Sequence, residues 1–256
     1  MGDGSAAYWE LMGEPQLEAL SELLHENTKI RSGARGFHIS PDVLQVMTEG
    51  FKNYDLARTT PLPAPAPLAM PLGDALARRR ALHTFTGAPV AAATVSALLR
   101  YAYGQTGVGY HRFSPSAGAL YPLELYPAVL NGVGIPAGLF HYNVRRHDLE
   151  HLPTLNLREA IADAIFVPEV AATASMIVAI TAVFGRTKIK YGERGYRFGL
   201  LEAGHVAQNL CLAATALGLG TCPLGGFVDD AINSLLDVDG LDEATLYLVA
   251  VGQVDQ

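Results

Sequence analysis

Residues 188–227, KIKYGERGYRFGLLEAGHVAQNLCLAATALGLGTCPLGGF, are the stretch of sequence that decides the fold of this chain. The stretch opens with basic and aromatic residues, passes through a long apolar segment and ends in a glycine-rich turn. Apolar residues recur at three- and four-residue spacing, which predicts a helix over residues 195–217. Its many alanines and glycines let other backbones approach closely, so we expect this helix to be buried on most sides.

Composition limits what the chain can do. Half of its 256 residues are hydrophobic, 17% are charged, and the net charge is −7. This suits a compact enzyme and argues against general nucleic-acid binding, which needs a basic surface. Polar residues interrupt the long helix too often for a membrane span, and the N-terminus has no secretory signal. With only Cys211 and Cys222, we expect a reduced, cytoplasmic protein without membrane or nucleic-acid partners.

The rest of the chain mixes helical and strand patterns without an internal repeat. The proline-rich residues 59–73 predict a linker or an extended arm. The mixture favours an α+β fold. Helices are predicted over residues 15–26, 40–53, 74–80, 94–103, 157–165 and 228–236, with a turn from Pro168. Strands are predicted over residues 123–130, 138–144, 175–184 and 245–254.

Common catalytic and metal-binding motifs are absent. The sequence has no GxxxxGK[ST] phosphate loop, no HExxH and no GxSxG, and the glycines of GVGIPAG are wrongly spaced for a dinucleotide site. A metal site at His141, His147 and His151 is conceivable, but no cysteine or carboxylate set completes it. We therefore predict no metal and expect these histidines to be hydrogen-bonded within a hairpin.

Three stretches carry a more specific signal. They are RRRALHTF at residues 78–85, SPSAGALYP at 114–122, and KYGERGYRF at 190–198, which leads through the long helix to GLGTCPLGGF at 218–227. In this order and spacing they resemble the nitroreductase-like flavin oxidoreductases, and more narrowly the SagB-type azoline dehydrogenases. The resemblance covers most of the chain. It implies a nitroreductase-like fold, with a mixed or antiparallel sheet flanked by helices, and a homodimer with FMN at its interface.

The resemblance assigns the arginine run to the phosphate of FMN. Guanidinium groups are planar donors suited to phosphate, although a solvated helix end would explain the run equally well. Arg79 and Arg80 match the family pattern. Ala81 and His83 stand where Ser and Arg are usual, so the contacts to the phosphate are altered.

The resemblance places two further segments on the flavin. We call residues 114–120 the serine loop and residues 224–226 the glycine turn. Small side chains let a flat ring approach the main chain, but an ordinary loop, or a turn that needs positive φ, would also explain them. The cofactor-binding residues implied here are Ser114, Ser116, Ala117, Gly118, Leu224, Gly225 and Gly226.

Lys190 and Tyr191 match the catalytic pair of the azoline dehydrogenases. A desolvated lysine amine can remove a proton from the azoline ring, and a tyrosine hydroxyl can share that proton. Neighbouring residues on a helix point about 100° apart, so both can face one flavin only at a helix end or in a loop. Without the flanking motif, a surface lysine beside a half-buried tyrosine would be the simpler interpretation.

The sequence therefore predicts FMN-dependent oxidation of peptide-derived thiazolines and oxazolines, with dioxygen as the final oxidant. The substrate is peptide-linked or carrier-bound, and a cyclodehydratase is the expected partner. Two alternatives stay open: an NAD(P)H-dependent reductase of small molecules, and a non-catalytic scaffold in a biosynthetic complex. We divide the chain into a helical, proline-rich extension over residues 1–73 and an FMN-binding domain over residues 74–256.

Overall fold

The computed structural model describes residues 17–31, 39–65, 67–107 and 110–255. Its helices and strands alternate irregularly along the chain. The helices are α1 Leu17–Asn27, α2 Pro41–Glu49, α3 Leu72–Arg78, α4 Ala92–Tyr103, α5 Leu157–Ala164, α6 Pro168–Thr173, α7 Gly185–Tyr191, α8 Arg194–Ala216 and α9 Asp229–Leu236. The strands are β1 Thr59–Pro61, β2 Val90–Ala91, β3 Leu123–Val129, β4 Gly132–Val133, β5 Gly138–Asn143, β6 Asp148–Leu152, β7 Met176–Val183, β8 Leu219–Leu224 and β9 Glu243–Gln253.

A seven-stranded sheet organises the molecule. Its strand order is β1-β6-β5-β3-β7-β9-β8, and all of these strand pairs are antiparallel. Strands β2 and β4 form a separate parallel pair. One hydrophobic cluster joins α4 and α8 to one face of the sheet, and a second joins α5, α6 and α9 to the other. This arrangement confirms the predicted α+β fold with helices flanking an antiparallel sheet.

Helix α8 confirms the predicted long helix to within one residue at each end. It packs closely on the preceding helix α7 at Gly195. A Cβ atom at Gly195 would lie 2.8 Å from the backbone nitrogen of Lys188. Since only glycine allows this approach, the position fixes α7 against the start of α8.

Several elements were not predicted from the sequence, and strands β6 and β8 and helix α7 show why. Strand β8 contains Gly220 and Pro223, which weaken a strand pattern, but it lies at the edge of the sheet, where proline is tolerated. Strand β6 is polar, and its charged side chains are paired inside the sheet. Helix α7 has only seven residues and follows directly on β7, too short for a periodic signal.

The described part of the N-terminal region packs onto the rest of the chain at several places, as two contacts illustrate. Strand β1 extends the main sheet by pairing with β6. Beyond the end of α1, the backbone oxygen of Thr28 accepts a hydrogen bond from Arg194 at 3.1 Å. The division into an extension over residues 1–73 and a domain over residues 74–256 stays a prediction. No helix in residues 17–31, 39–65, 67–107 and 110–255 is long and apolar enough to cross a membrane.

The three clustered histidines have hydrogen-bond partners within the fold. His147 contacts the hydroxyls of Ser96 and Tyr142, both at 2.8 Å. His151 contacts the hydroxyl of Thr60 at 2.7 Å. The expectation that these histidines are hydrogen-bonded is therefore confirmed.

The third histidine, His141, lies at the centre of a buried charge network. Its Nδ1 lies 2.6 Å from Glu150 Oε2, and its Nε2 lies 3.0 Å from Glu124 Oε2. Arg186 pairs with Glu124 at 2.6 Å, and Arg146 pairs with Glu150 at 2.5 Å. Alternating charges thus run through the sheet from helix α7 to the β5–β6 turn, so the buried carboxylates are balanced.

The network shifts the pKa values of its members. Burial favours the neutral carboxyl, but the neighbouring cations hold the pKa values of Glu124 and Glu150 at about 2. Burial favours neutral His141, but hydrogen bonds to both carboxylates raise its pKa. The carboxylates stabilise the fold above about pH 4.5, and this contribution is lost as the pH falls towards 2. The histidine stabilises it below about pH 6.5, and this contribution is lost as the pH rises through its raised pKa.

We predict that His141→Gln destabilises the fold by about 3–5 kcal/mol in mildly acidic solution, because it removes a buried cation between two carboxylates. Chemical unfolding at several pH values measures this loss. The difference from wild type should shrink as the pH rises through the raised pKa of His141. His25→Gln, at an exposed position on α1, is the control and should change stability by less than about 0.5 kcal/mol. Equal losses at every pH would contradict the prediction.

Candidate active site

Lys190 and Tyr191 are the last two residues of helix α7. The helix stops at Gly192, whose φ is 54° and ψ is −144°, a backbone conformation suited to glycine. The Lys190 amine lies 5.2 Å from the centre of the Tyr191 ring. The pair therefore sits at a helix end, which is the geometry that lets both side chains converge.

The serine loop brings Gly118 against this pair. A Cβ atom at Gly118 would lie 2.6 Å from Tyr191 Oη and 2.8 Å from Lys190 Nζ. The φ of Gly118 is 62°, a left-handed value that favours glycine. Ala119 and Tyr121 are also left-handed, with φ of 54° and 45°, which is uncommon for residues with a side chain. Strained backbone of this kind clusters at functional sites.

Side chains of helix α8 contact the serine loop. The side-chain amide of Asn209 donates a hydrogen bond to Ser114 Oγ at 2.9 Å, and Ser114 Oγ donates to the backbone oxygen of Ala102 at 2.8 Å. Two turns earlier on the same helix, Glu202 lies beside Ser116. The Ser116 hydroxyl accepts a hydrogen bond from the backbone of Tyr121 at 2.9 Å. The loop thus runs along α8 towards the Lys190–Tyr191 pair.

A second group of predicted residues lies along strand β8. The backbone nitrogen of Leu82 donates to the backbone oxygen of Thr221 at 2.8 Å, and His83 Nδ1 lies 4.0 Å from Cys222 Sγ. Arg79 is half-buried, whereas Arg80 is exposed and donates to the backbone oxygens at the end of α3. The strand then leads to the glycine turn, so the residues that follow the arginine run lie beside the strand that carries this turn.

The glycine turn has ordinary backbone angles. Neither Gly225 nor Gly226 has a positive φ, so the alternative of a turn that requires left-handed backbone is wrong. A Cβ atom at Gly226 would lie 3.0 Å from the Phe166 ring. Around Gly225, a Cβ atom would meet no described atom within 4 Å. Its exposed backbone is thus open to a ligand or a second protomer.

The predicted residues form two groups on one protomer. The first contains Lys190, Tyr191 and the serine loop, and it lies at the start of α8. Burial raises the pKa of the Cys211 thiol, whereas a hydrogen bond with Thr221 and the charge of Arg79 lower it. Arg79 therefore lies near Cys211. Cys211 lies about 25 Å along the helix axis from Arg194, at 1.5 Å per residue. The arginine run therefore lies towards the other end of the helix.

The structure adds three residues to this region that the sequence interpretation did not select. Tyr103, Arg112 and Glu202 are buried and lie beneath the serine loop. The only sequence signal was a glutamate within an otherwise apolar stretch of the long helix.

Two other predicted residues have clear positions. Ala117 is half-buried in the serine loop, and Leu224 is the last residue of β8.

The fold and the family match together define an oxidoreductase of the nitroreductase class. The nitroreductase family model matches residues 76–253, and the chain belongs to this family. It is 37% identical over 182 residues to MJ1384 of Methanocaldococcus jannaschii, a protein named for the nitroreductase family. That alignment covers 71% of this chain and 90% of the relative.

Two further relatives are named as processing proteins. The chain is 31% identical over 165 residues to the trifolitoxin-processing protein TfxB of Rhizobium leguminosarum and 29% identical over 174 residues to the microcin B17-processing protein McbC of Escherichia coli. These alignments cover 59% and 63% of this chain. They span only 44% and 62% of the two relatives. The predicted resemblance to SagB-type nitroreductase-like proteins is confirmed.

Solved structures support the same fold. The E. coli microcin synthetase McbBCD complex with truncated pro-MccB17 contains a chain that matches with a TM-score of 0.64 and 20% identity, over 100% of this chain and 98% of that chain. A nitroreductase-named protein from Desulfovibrio desulfuricans in complex with FMN matches with a TM-score of 0.52 and 18% identity, over 73% of this chain and 88% of that chain.

We predict that Gly118→Ala displaces the Lys190–Tyr191 pair, because the new methyl group overlaps both polar atoms. The left-handed backbone adds a cost of about 1–2 kcal/mol. Lysine acylation followed by peptide mass mapping reports the labelling rate of Lys190, which should change in the variant. Gly87→Ala is a matched control, because Gly87 has a φ of 74° but a methyl group there would lie 4.0 Å from its nearest neighbouring atom. An unchanged Lys190 labelling rate in Gly118→Ala would count against the close contact.

Proposed function

We propose that this protein is an FMN-dependent azoline dehydrogenase, which oxidises peptide-derived thiazolines and oxazolines to thiazoles and oxazoles. The observation that carries the proposal is the convergence of Lys190 and Tyr191 on Gly118 of the serine loop. An amine and a phenol at a glycine-lined surface form an acid–base pair beside a place where a flat ring can approach the backbone. The processing proteins TfxB and McbC, to which the chain is similar, support this reaction class.

The residues present fit FMN. Arg79 and Arg80 provide guanidinium groups for the phosphate, and His83 stands beside them in place of the usual arginine. The open backbone at Gly225 accommodates close approach of the flavin ring. We therefore assign the phosphate to the arginine run and the ring to the serine loop and the glycine turn. When bound, FMN supplies the hydride acceptor.

Lys190 and Tyr191 handle the proton in this proposal. Azoline oxidation removes a proton from one ring carbon and a hydride from its neighbour. The Lys190 amine takes the proton, and the Tyr191 hydroxyl shares it and orients the ring. The Phe198 ring packs edge-on against Tyr191, with centroids 4.9 Å apart, and limits the directions in which the phenol can point. Both side chains are half-buried, which partly excludes water from the pair.

We propose a homodimer in which each FMN site is completed by the partner subunit. The two groups of predicted residues lie towards opposite ends of α8, so a cofactor held by one group is completed more readily from a second protomer. A cyclodehydratase is the proposed partner, because it forms the azoline that this reaction consumes. The match to a chain of the McbBCD complex supports such an assembly.

The test is mass spectrometry of a thiazoline peptide incubated with FMN-loaded protein. We expect the wild type to remove two hydrogen atoms from the peptide. Lys190→Ala should lower the rate by about 10²–10⁴-fold, the usual contribution of a general base. Tyr191→Phe should lower it less, because the ring and its packing remain.

Lys188→Ala is the matched control. Lys188 lies on the same helix, is exposed and pairs with Glu193 at 2.9 Å. Its removal should leave the rate within about twofold of the wild type. Equal rates for the wild type and Lys190→Ala would exclude Lys190 as the base. A colourless protein that takes up no FMN would instead favour the scaffold interpretation.

A reductase of small molecules is the second candidate, and the similarity to MJ1384 over 90% of that protein favours it. The same fold and cofactor would serve both reactions. Mixing FMN-loaded protein with NADPH under anaerobic conditions separates them. Rapid loss of the flavin absorbance, together with no mass change in the thiazoline peptide, would replace the dehydrogenase proposal by the reductase.

A further inference from the structure

A buried carboxyl lies beneath the serine loop and takes no part in the proposed chemistry. Glu202 on α8 is only 2% exposed. Its Oε1 accepts a hydrogen bond from the Tyr103 hydroxyl at 2.7 Å. Its Oε2 has no hydrogen-bond partner in the part of the chain that the structure describes. A half-satisfied buried carboxyl is costly to keep, which points to a role beyond packing.

A buried guanidinium lies over the ring of the same tyrosine. Arg112 is 6% exposed, and its central carbon lies 4.3 Å from the centre of the Tyr103 ring and 4.7 Å from that of Tyr121. Its Nε and Nη1 atoms also find no partner among the described residues. The two opposite charges therefore contact one tyrosine, Arg112 at its ring and Glu202 at its hydroxyl, and each has unused hydrogen-bonding capacity among the described residues.

Both charges are connected to the serine loop. The backbone nitrogen of Arg112 donates to the Tyr121 hydroxyl at 3.0 Å, and Tyr121 holds a left-handed backbone with a φ of 45°. The backbone nitrogen of Tyr121 donates to Ser116 Oγ, and Ser116 lies beside Glu202. Two residues beyond Ser116, Gly118 contacts the Lys190–Tyr191 pair. A chain of contacts thus links Glu202 to the proposed active site.

We propose that Glu202 is the positioning residue of the serine loop, which it fixes against Lys190 and Tyr191 through Ser116 and Tyr103, with Arg112 as its counter-charge. The inference rests on the proposed function in so far as the loop carries the flavin. Glu202 acts on the loop and not on the substrate.

The charge state of Glu202 responds to pH in the neutral range. Burial raises its pKa to about 7, and the hydroxyls of Ser116 and Tyr103 and the charges of Arg112 and Arg186 oppose this effect. These groups face the carboxyl from the serine loop, α4 and α7. Because the folded state holds the proton more tightly than the unfolded chain, its stability falls as the pH rises from about 4.5 through 7.

The experiment compares the wild type with Glu202→Gln, which keeps the shape and the acceptor for Tyr103 but cannot ionise. The unfolding midpoint is measured from about pH 5 to about pH 9. The midpoint of the wild type should fall relative to that of Glu202→Gln as the pH rises through 7. Glu193→Gln, at an exposed position, is the control and should follow the wild type.

Two further measurements test positioning itself. FMN affinity, followed by flavin fluorescence, should weaken by about tenfold in Glu202→Ala, which releases Ser116 and Tyr103. The acylation rate of Lys190 without FMN should change in the same variant, since the loop shifts against the pair. Tyr103→Phe keeps the ring but lacks the hydroxyl, and it should show a smaller change of the same kind.

The outcomes separate this inference from the proposed function. Unchanged FMN affinity and unchanged Lys190 labelling in a folded Glu202→Ala protein would overturn the positioning role. If the wild type binds FMN but leaves the thiazoline peptide intact, the proposed reaction fails, and the labelling result still decides the role of Glu202. If the unfolding midpoints of the wild type and Glu202→Gln change with pH in the same way, the Glu202 carboxyl does not titrate in the folded protein. That result would overturn its role as a charged partner of Arg112.

Discussion

Close packing of helix α8 is the constraint on which the rest of this structure depends. At its start, Gly195 brings the backbone of α7 into contact with α8, and this contact fixes α7 against the start of α8. Further along, Asn209 donates a hydrogen bond to Ser114, and two turns earlier Glu202 lies beside Ser116 of the same loop. A single helix thus sets the position of two segments that are more than 60 residues apart in the chain.

Two clusters of buried polar groups in this fold differ in how fully their hydrogen bonds and charges are paired. The network centred on His141 balances its charges inside the sheet, with each carboxylate paired to a cation. The cluster of Glu202, Tyr103 and Arg112 is only partly satisfied. Balanced networks contribute to the stability of the native state, whereas partly satisfied ones are more often connected with function. The second cluster lies beneath the loop that touches Lys190 and Tyr191, which agrees with that distinction.

Some elements could be predicted from the sequence and others could not, because only some of them carry a local hydrophobic pattern. The apolar period of α8 is strong because most of its faces are buried, so its ends were predicted within one residue. Strand β6 has no such pattern, because its charges are neutralised by partners from β5 and the β5–β6 turn. Strand β8 contains glycine and proline and is stable only as the edge of a sheet whose other strands lie elsewhere in the chain. Such strands depend on pairing that a local pattern does not encode.

By itself, the sequence determined the α+β class, the long helix and the family resemblance carried by the serine loop and the Lys190–Tyr191 pair. These features depend on local periodicity and on short motifs, which are read within a few residues. Only the tertiary structure decided that Gly118 meets Lys190 and Tyr191, that Gly225 has no conformational reason to be glycine, and that Glu202 lies beneath the loop. Each of these depends on contacts between distant segments, because burial and close approach are properties of the folded chain.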